Sequence, residues 1–245
     1  MASVFGSRLD LLVRLIDTTT GAAVDERNVL FMRDEREVRP ESRGVGTYIF
    51  INTGREDFLM RIRVKGFDEF ETLVRYEELD ERIPVCNAFL IPSENASKGE
   101  KLLGLSGNLP FLESLEAVNL NRIACSANEY DPKTKILKVF GQTGGRVYLY
   151  DTYYGLLDES RESYEKIEVL GNETPQSVKL RNPLEKELAS NSPIFRVVFG
   201  SVKENGDYVL RVRDNAKDII YLLRYKVNGE VKFKKVDFRE GAELS

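Results

Sequence analysis

Phe58-Leu-Met-Arg-Ile-Arg-Val-Lys-Gly66 is the stretch that decides the fold class. In an extended chain successive side chains point to opposite faces. Phe58, Met60, Ile62 and Val64 therefore share one side, and Leu59, Arg61, Arg63 and Lys65 the other. A helix would spread these residues around its axis, so the period of two marks a strand with one buried face, ended by Gly66. Working back from it, Leu9, Leu11, Val13 and Leu15 alternate in the same way, and Asp17-Thr-Thr-Thr-Gly21 breaks them off as a turn. Val29 and Phe31 begin another alternation. The apolar run at residues 48–51, opened by Gly44-Val-Gly46, suits a strand covered on both faces. Residues 70–76 and 88–91 complete this set, and Pro92 closes it.

The segment 93–117 changes character. It opens small, polar and glycine-bearing, as linkers do, yet Leu102, Leu103 and Leu105 predict that part of it packs. After Pro110 the spacing of Phe111, Leu112, Leu115 and Val118 predicts a short helix. Strands resume at about residue 118. Asp131-Pro-Lys-Thr-Lys135 reads as a hairpin loop, as does Gly141-Gln-Thr-Gly-Gly145 between residues 136–140 and 147–150. Asn205-Gly206 and Asn228-Gly229 each separate two alternating runs, and Asn-Gly suits tight primed turns. Val231 and Phe233 stand out of phase with Val236 and Phe238, which predicts a bulge at Lys234-Lys235. With many short strands and no long amphipathic helix, the expected fold is all-β. It comprises two β-sandwich domains, 1–92 and 118–245, the second antiparallel, joined by a partly packed linker over 93–117 with at most short helices.

Composition narrows the chemistry. The 245 residues carry a net charge of -4 and contain no histidine, no tryptophan and two cysteines. Residues 1–95 hold 13 Lys and Arg against 18 Asp and Glu, residues 96–245 hold 23 against 22, and every cation but Lys65 in the first part is Arg. That uneven charge agrees with two units and offers no basic field for nucleic acid. The start MASVFGSRLDLLVRLID has Arg8 and Asp10 where a secretion signal would be apolar. No run approaches the length of a membrane span. The expectation is cytoplasmic synthesis without a signal peptide.

Without histidine there is no Ser-His-Asp or Cys-His triad and no imidazole base. Two cysteines cannot close a thiolate metal site, and no P-loop motif is present. Cys86 and Cys125 do not form a disulfide framework. The carboxylate pairs Glu56-Asp57 and Asp68-Glu69 read as solvated turn residues rather than as an acid–base pair of the kind glycosidases use. Asp131 and Asp151 stand in no oxygen-rich calcium loop. The expected protein is non-enzymatic, with no cofactor, no metal and no catalytic residue. Tyr148, Tyr150, Tyr153 and Tyr154 form the densest aromatic patch and are the candidate interface, because tyrosine buries much area while keeping a polar tip. The basic strip Lys226, Lys232, Lys234 and Lys235 reads as a strand face that discourages edge pairing.

Residues 9–92 resemble the carboxypeptidase regulatory-like, or transthyretin-like, β-sandwich family. The matching pieces are Leu15-Ile-Asp-Thr-Thr-Thr-Gly21, Asn28-Val-Leu-Phe31, Gly46-Thr-Tyr-Ile-Phe-Ile-Asn52, the stretch from Phe58 to Phe67, and Phe89-Leu-Ile-Pro92. The family is a scaffold without a shared active site, so the resemblance implies a fold and assigns no functional residue. A chain of several sandwiches without a signal is similar to accessory proteins of phage tails and contractile injection machines. That likeness implies protein partners in a larger assembly, of the kind released from the cell as a particle. The alternative is a ligand-binding module for a glycan, peptide or cell-surface polymer, and last comes a carboxylate hydrolase.

Overall fold

The computed structural model describes residues 8–26, 28–93, 102–141, 147, 149, 153–213, 220–240 and 244. The chain is all-β, and among the described residues the one helical element is a 3-10 turn at Tyr76–Glu78. No helix there is long and apolar enough to cross a membrane. Two compact units separate: Met1–Thr18 with Ala23–Gly99, and Thr19–Ala22 with Glu100–Ser245.

The first unit holds β1 (Leu9–Asp17), β2 (Val29–Arg33), β3 (Arg36–Val38), β4 (Glu41–Ser42), β5 (Thr47–Ile51), β6 (Phe58–Val64), β7 (Phe70–Val74) and β8 (Val85–Leu90). They form two four-stranded sheets, ordered β4-β5-β1-β8 and β3-β2-β6-β7. β1 runs antiparallel to β5 and parallel to β8. The sheets close on one core in which Leu11, Val13 and Leu15 of β1 meet Phe31, Met60 and Ile62. On β6 the two faces separate as the period of two demands. Phe58, Met60, Ile62 and Val64 are buried, while Arg61 and Arg63 reach across to Glu71 and Glu69.

Asp10 departs from that alternation. The ladder between β1 and β5 slips at this position, and the carboxylate is fully buried. One oxygen accepts the backbone N–H groups of Thr53 and Gly54 at 2.5 and 3.0 Å, and the other accepts Arg8 Nε at 2.7 Å. A buried carboxylate persists only with such partners. Burial pushes its pKa up, but the Arg8 and backbone hydrogen bonds outweigh this and hold it below the usual 3.8.

The second unit holds β9 (Leu102–Asn108), β10 (Leu112–Asp131), β11 (Ile136–Phe140), β12 (Tyr153–Leu157), β13 (Tyr164–Thr174), β14 (Ser177–Leu180), β15 (Ser192–Phe199), β16 (Ser201–Val202), β17 (Asp207–Arg213), β18 (Ile220–Val227) and β19 (Glu230–Asp237). The eight-stranded sheet runs β11-β14-β13-β12-β15-β10-β18-β19, and β11 also pairs with β10. Six antiparallel strands thus close into a barrel, filled by Cys125, Leu137, Tyr154, Ile167, Val178 and Ile194 among others. β18 and β19 extend the sheet beyond the barrel. There the N-terminal half of β10 packs, with β18, against the three-stranded sheet β16-β17-β9, burying Leu115, Leu223, Tyr225, Leu210 and Val212. The 20-residue β10 serves both cores, and its ladder with β15 shifts between Val118 and Ile123.

Several expectations are corrected here. Leu102–Asn108 and the residues after Pro110 form strands, not a linker and a short helix, because Leu112, Leu115 and Ala117 are held by β18. The second unit is a closed barrel joined to a sandwich rather than a plain sandwich. No bulge interrupts β19, whose pairing with β18 is continuous from Val227↔Glu230 to Ile220↔Asp237. Each phase has an apolar contact instead: Val236 lies in the core shared with β17, and Phe233 on the opposite face meets Tyr164 edge-on at 5.6 Å. Asn228-Gly229 is the two-residue turn its sequence predicts, with φ of 50° and 79°. At Asn205-Gly206 the hairpin is present with a different turn. Gly206 N donates to Lys203 O and Gly206 alone has positive φ, the four-residue form in place of the primed pair. The turn at 142–145 lies outside the described residues, as do residues 94–101 of the expected linker.

Candidate functional site

Of the four tyrosines of the candidate interface, Tyr148 and Tyr150 lie outside the described residues. Tyr154 has no exposed surface: it is one of the largest side chains filling the barrel, so it cannot meet a partner. Tyr153 points to the opposite side of β12 and is half-buried. It stands edge-on to Phe199 at 5.7 Å, with Lys166 Nζ 5.5 Å from its ring centre. Strand alternation sends Tyr153 and Tyr154 to opposite faces, so these two do not share one surface.

The carboxylates singled out above serve turns. Asp57 accepts Tyr76 N at 3.0 Å, and Glu69 is paired with Arg63. Asp131 accepts Lys133 N and Thr134 Oγ1, which closes the β10–β11 hairpin and lowers its pKa. Asp151 lies outside the described residues. Cys86 and Cys125 are free thiols in separate units, and burial pushes each up to about 12. Neither thiol is a thiolate at neutral pH, so neither is a nucleophile there.

Two features of the second unit stand apart from this structural accounting. The first is the turn Leu109-Pro110-Phe111 between β9 and β10. Phe111 is 73% exposed and holds a φ of 63°, the left-handed region that bulky residues avoid. Neighbouring turns fix it there. Leu109 N donates to Gly206 O at 3.0 Å, and Asn228 N donates to Phe111 O at 3.3 Å. Glu113, just after the turn, accepts Gly229 N and pairs with Lys226, both at 2.5 Å. The result is an apolar knob on a strained but braced backbone. The sequence places Phe111 in an apolar stripe, and only its backbone angle and exposure single it out.

The second is a pocket of about 430 Å³ lined by Arg122, Arg196 and Arg213. Arg122 stands where the β10 ladder shifts, in a segment tightened by Asn119 Oδ1 accepting Asn121 N at 2.9 Å. A shift of this kind re-aims side chains. Arg196 comes from β15 and Arg213 ends β17. One wall is the segment Thr19–Ala22, which belongs to this unit. Arg196 Nη1 donates to Thr20 O at 3.0 Å, and Arg213 Nε reaches Thr19 Oγ1 at 3.4 Å. Gly21 is needed for this approach: its φ is 63°, and a Cβ there would lie 2.8 Å from both Arg196 Cγ and Val197 O. The Asp17-to-Gly21 stretch is legible as a turn, but not as the wall of a pocket.

A second hollow, of about 410 Å³, lies between β12 and residues 186–189 and is lined by Asp158, Glu159, Glu165 and Lys186. Burial raises the Glu165 pKa, while the carboxylate accepts Glu185 N at 2.7 Å and Lys186 N at 3.3 Å. Asp158 holds the β12–β13 turn through Ser160 and Ser163. Glu165 is thus committed to backbone and Asp158 to its turn.

No family model, curated protein or solved structure matches this chain.

Proposed function

We propose that the chain is a non-catalytic structural or adaptor subunit of a larger protein assembly and that it docks through the Phe111 turn. The observation that carries this reading is Phe111 itself. Left-handed backbone costs a bulky residue about 1–2 kcal/mol, and an exposed phenylalanine returns none of that by burial within the chain. Aromatic side chains on rigid supports are the anchors that interfaces favour, and strain held in place by surrounding structure concentrates at working sites. The resemblance of residues 9–92 to transthyretin-like modules makes phage-tail-like and contractile injection particles the setting to test first.

The test compares the wild-type chain with Phe111→Asn in native extract by sedimentation, with the co-sedimenting subunits identified. Asparagine tolerates the left-handed region. The expected result is that the wild type travels in a large particle while the variant travels alone, with a melting temperature no lower. A wild-type chain that sediments alone overturns the reading, as does a variant that stays in the particle. A second reading, a ligand-binding module, is favoured by the arginine-lined pocket.

A further inference from the structure

A strand at the end of a sheet turns half of its backbone N–H and C=O groups outward, and an unguarded edge recruits another strand. In the second unit the sheets end on β16, β19 and β9. β16 is two residues long, and β19 carries Lys232, Lys234 and Lys235, charges of the kind that discourage pairing. β9 has neither guard. Its seven residues, Leu102-Leu-Gly-Leu-Ser-Gly-Asn108, include no charge and no proline, and their register with β17 is unbroken.

The hydrogen bonds at the end of this ladder show which groups face outward. Leu109 N donates to Gly206 O at 3.0 Å, one step beyond the register pair Asn108↔Asp207. Bonded pairs alternate along an antiparallel ladder. Leu103, Leu105 and Gly107 therefore bond to β17, opposite Val212, Leu210 and Tyr208. On the other side of β17, Lys203 N donates to Asp207 O at 2.8 Å, which turns Asp207 towards β16 and agrees with this parity. The backbone groups of Leu102, Gly104, Ser106 and Asn108 point away from the sheet, and among the described residues no strand pairs with them. Gly104, Ser106 and Asn108 are exposed. A Cβ at Gly104 would meet no atom within 4 Å.

We propose that β9 pairs antiparallel with β9 of a second copy of this chain, about a twofold axis at Leu105. The strand is self-complementary in that register. Leu102 stands opposite Asn108 and Gly104 opposite Ser106, so all four outward residues exchange both of their bonds. Leu103 and Leu105, which pack in the core of this unit, share one face of the joined sheet. On the other face Gly104 and Ser106 are small, and no like charges meet. Self-pairing of β19 would instead bring its lysines towards their own copies, and like charges across a strand pair are destabilising. A contact of this kind uses the same patch on both copies and closes at two. It is separate from docking through Phe111, which lies beyond β9 in the turn to β10.

The experiment is sedimentation velocity of the purified full chain at concentrations up to about 100 µM, with association expected in the micromolar range. Ser106→Pro removes one outward N–H and places a ring on the edge, a position where proline is tolerated. It should be monomeric throughout with an unchanged far-ultraviolet circular dichroism spectrum. Gly104→Lys and Gly104→Glu test the symmetry without altering the backbone, since Gly104 lies outside the left-handed region. In the dimer the two substituted positions lie diagonally across the axis, roughly 7–8 Å apart. Each variant alone should associate about threefold more weakly or worse at low salt, and an equimolar mixture of the two should recover the dimer. Phe111→Asn should leave the dimer intact, so this proposal and the Phe111 reading fail separately. A wild-type chain that is monomeric at the highest concentration overturns the proposal. So does a folded Ser106→Pro chain that stays dimeric, a mixture that associates no better than either Gly104 variant, or a wild type that forms a ladder of larger species.

Discussion

Each unit of the molecule holds a carboxylate with almost no exposed surface, Asp10 at 0% and Glu116 at 2%, and the two are stabilised in different ways. In the first unit Asp10 is satisfied by backbone N–H groups of the loop after β5, with Arg8 alongside. In the second unit Glu116, 2% exposed, is satisfied by charges on other strands. Arg224, its register partner on β18, binds one oxygen, and Lys166 of β13 lies 3.0 Å from the other. The buried Tyr164 stands beside them, its hydroxyl without a hydrogen-bond partner among the described residues, its pKa raised by burial and by the charge of Glu116. A carboxylate held by backbone amides fixes a local loop. A carboxylate held by side chains of separate strands tests whether those strands are in register. The first arrangement stabilises a turn, and the second selects one pairing among alternatives, the role best attested for buried ionic groups.

This contrast can be broken experimentally. Glu116→Ala should have the largest effect. It leaves Arg224 and Lys166 facing one another without their anion, and breaking a buried pair costs about 3–5 kcal/mol. Both cations keep some contact with water, which places the loss near the lower end, about 3 kcal/mol in the unfolding free energy obtained by urea titration followed by circular dichroism. Replacing Glu116 and Arg224 together by Leu and Met should recover most of that loss. If the double variant is no better than the single one, the pairing account is wrong.

Asp10→Ala comes next, at about 2 kcal/mol, the scale of hydrogen bonds to a charged group. Its signature is local: hydrogen exchange at Thr53 and Gly54 should accelerate far more than exchange in β6. Uniform acceleration across the first unit would mean that Asp10 serves the core rather than the loop.

The pH dependence should be smaller. The folded pKa of Asp10 lies below its usual 3.8. Its stabilisation is therefore complete above that value and is lost as pH falls through the folded pKa. Burial raises the Glu165 pKa, so Glu165 changes stability in the opposite sense and favours the folded state as it protonates. Asp10→Asn should flatten the acid limb of the stability profile measured by urea titration. An unchanged limb would remove Asp10 from the acid response.

The smallest effect, and the only gain, is expected from Phe111→Asn. Relief of the left-handed phenylalanine should raise stability by up to about 1 kcal/mol. A loss would show that Phe111 packs in the free chain and would weaken its role as an anchor.

The sequence shows the first unit more clearly than the second, and β6 and β10 show why. β6 has one buried and one wet face, so its pattern is written directly in Phe58, Met60, Ile62 and Val64. β10 is buried on both faces from Leu115 to Asn119 and exchanges partners midway, which erases the period of two. The same double cover makes Leu112, Leu115 and Val118 look helical, while β19 looks bulged because Phe233 and Val236 each find an apolar contact on opposite faces. The arginine pocket was illegible for another reason. Arg213 and Thr19 are 194 residues apart, and no local spacing encodes their meeting. The tyrosine patch was legible as composition, but alternation along β12 sends Tyr153 and Tyr154 to opposite faces.

What the sequence determined by itself was the class of structure and the position of its turns. Alternating side chains fix which residues face a core, and Asn228-Gly229 and Asp131 fix where the chain reverses, because these are local properties of the backbone. Tertiary structure alone decided that six strands close into a barrel, that Glu116 meets Arg224 and Lys166, and that three arginines share one pocket. Those outcomes depend on the register between strands far apart in sequence, which is set by packing many side chains at once rather than by any one segment.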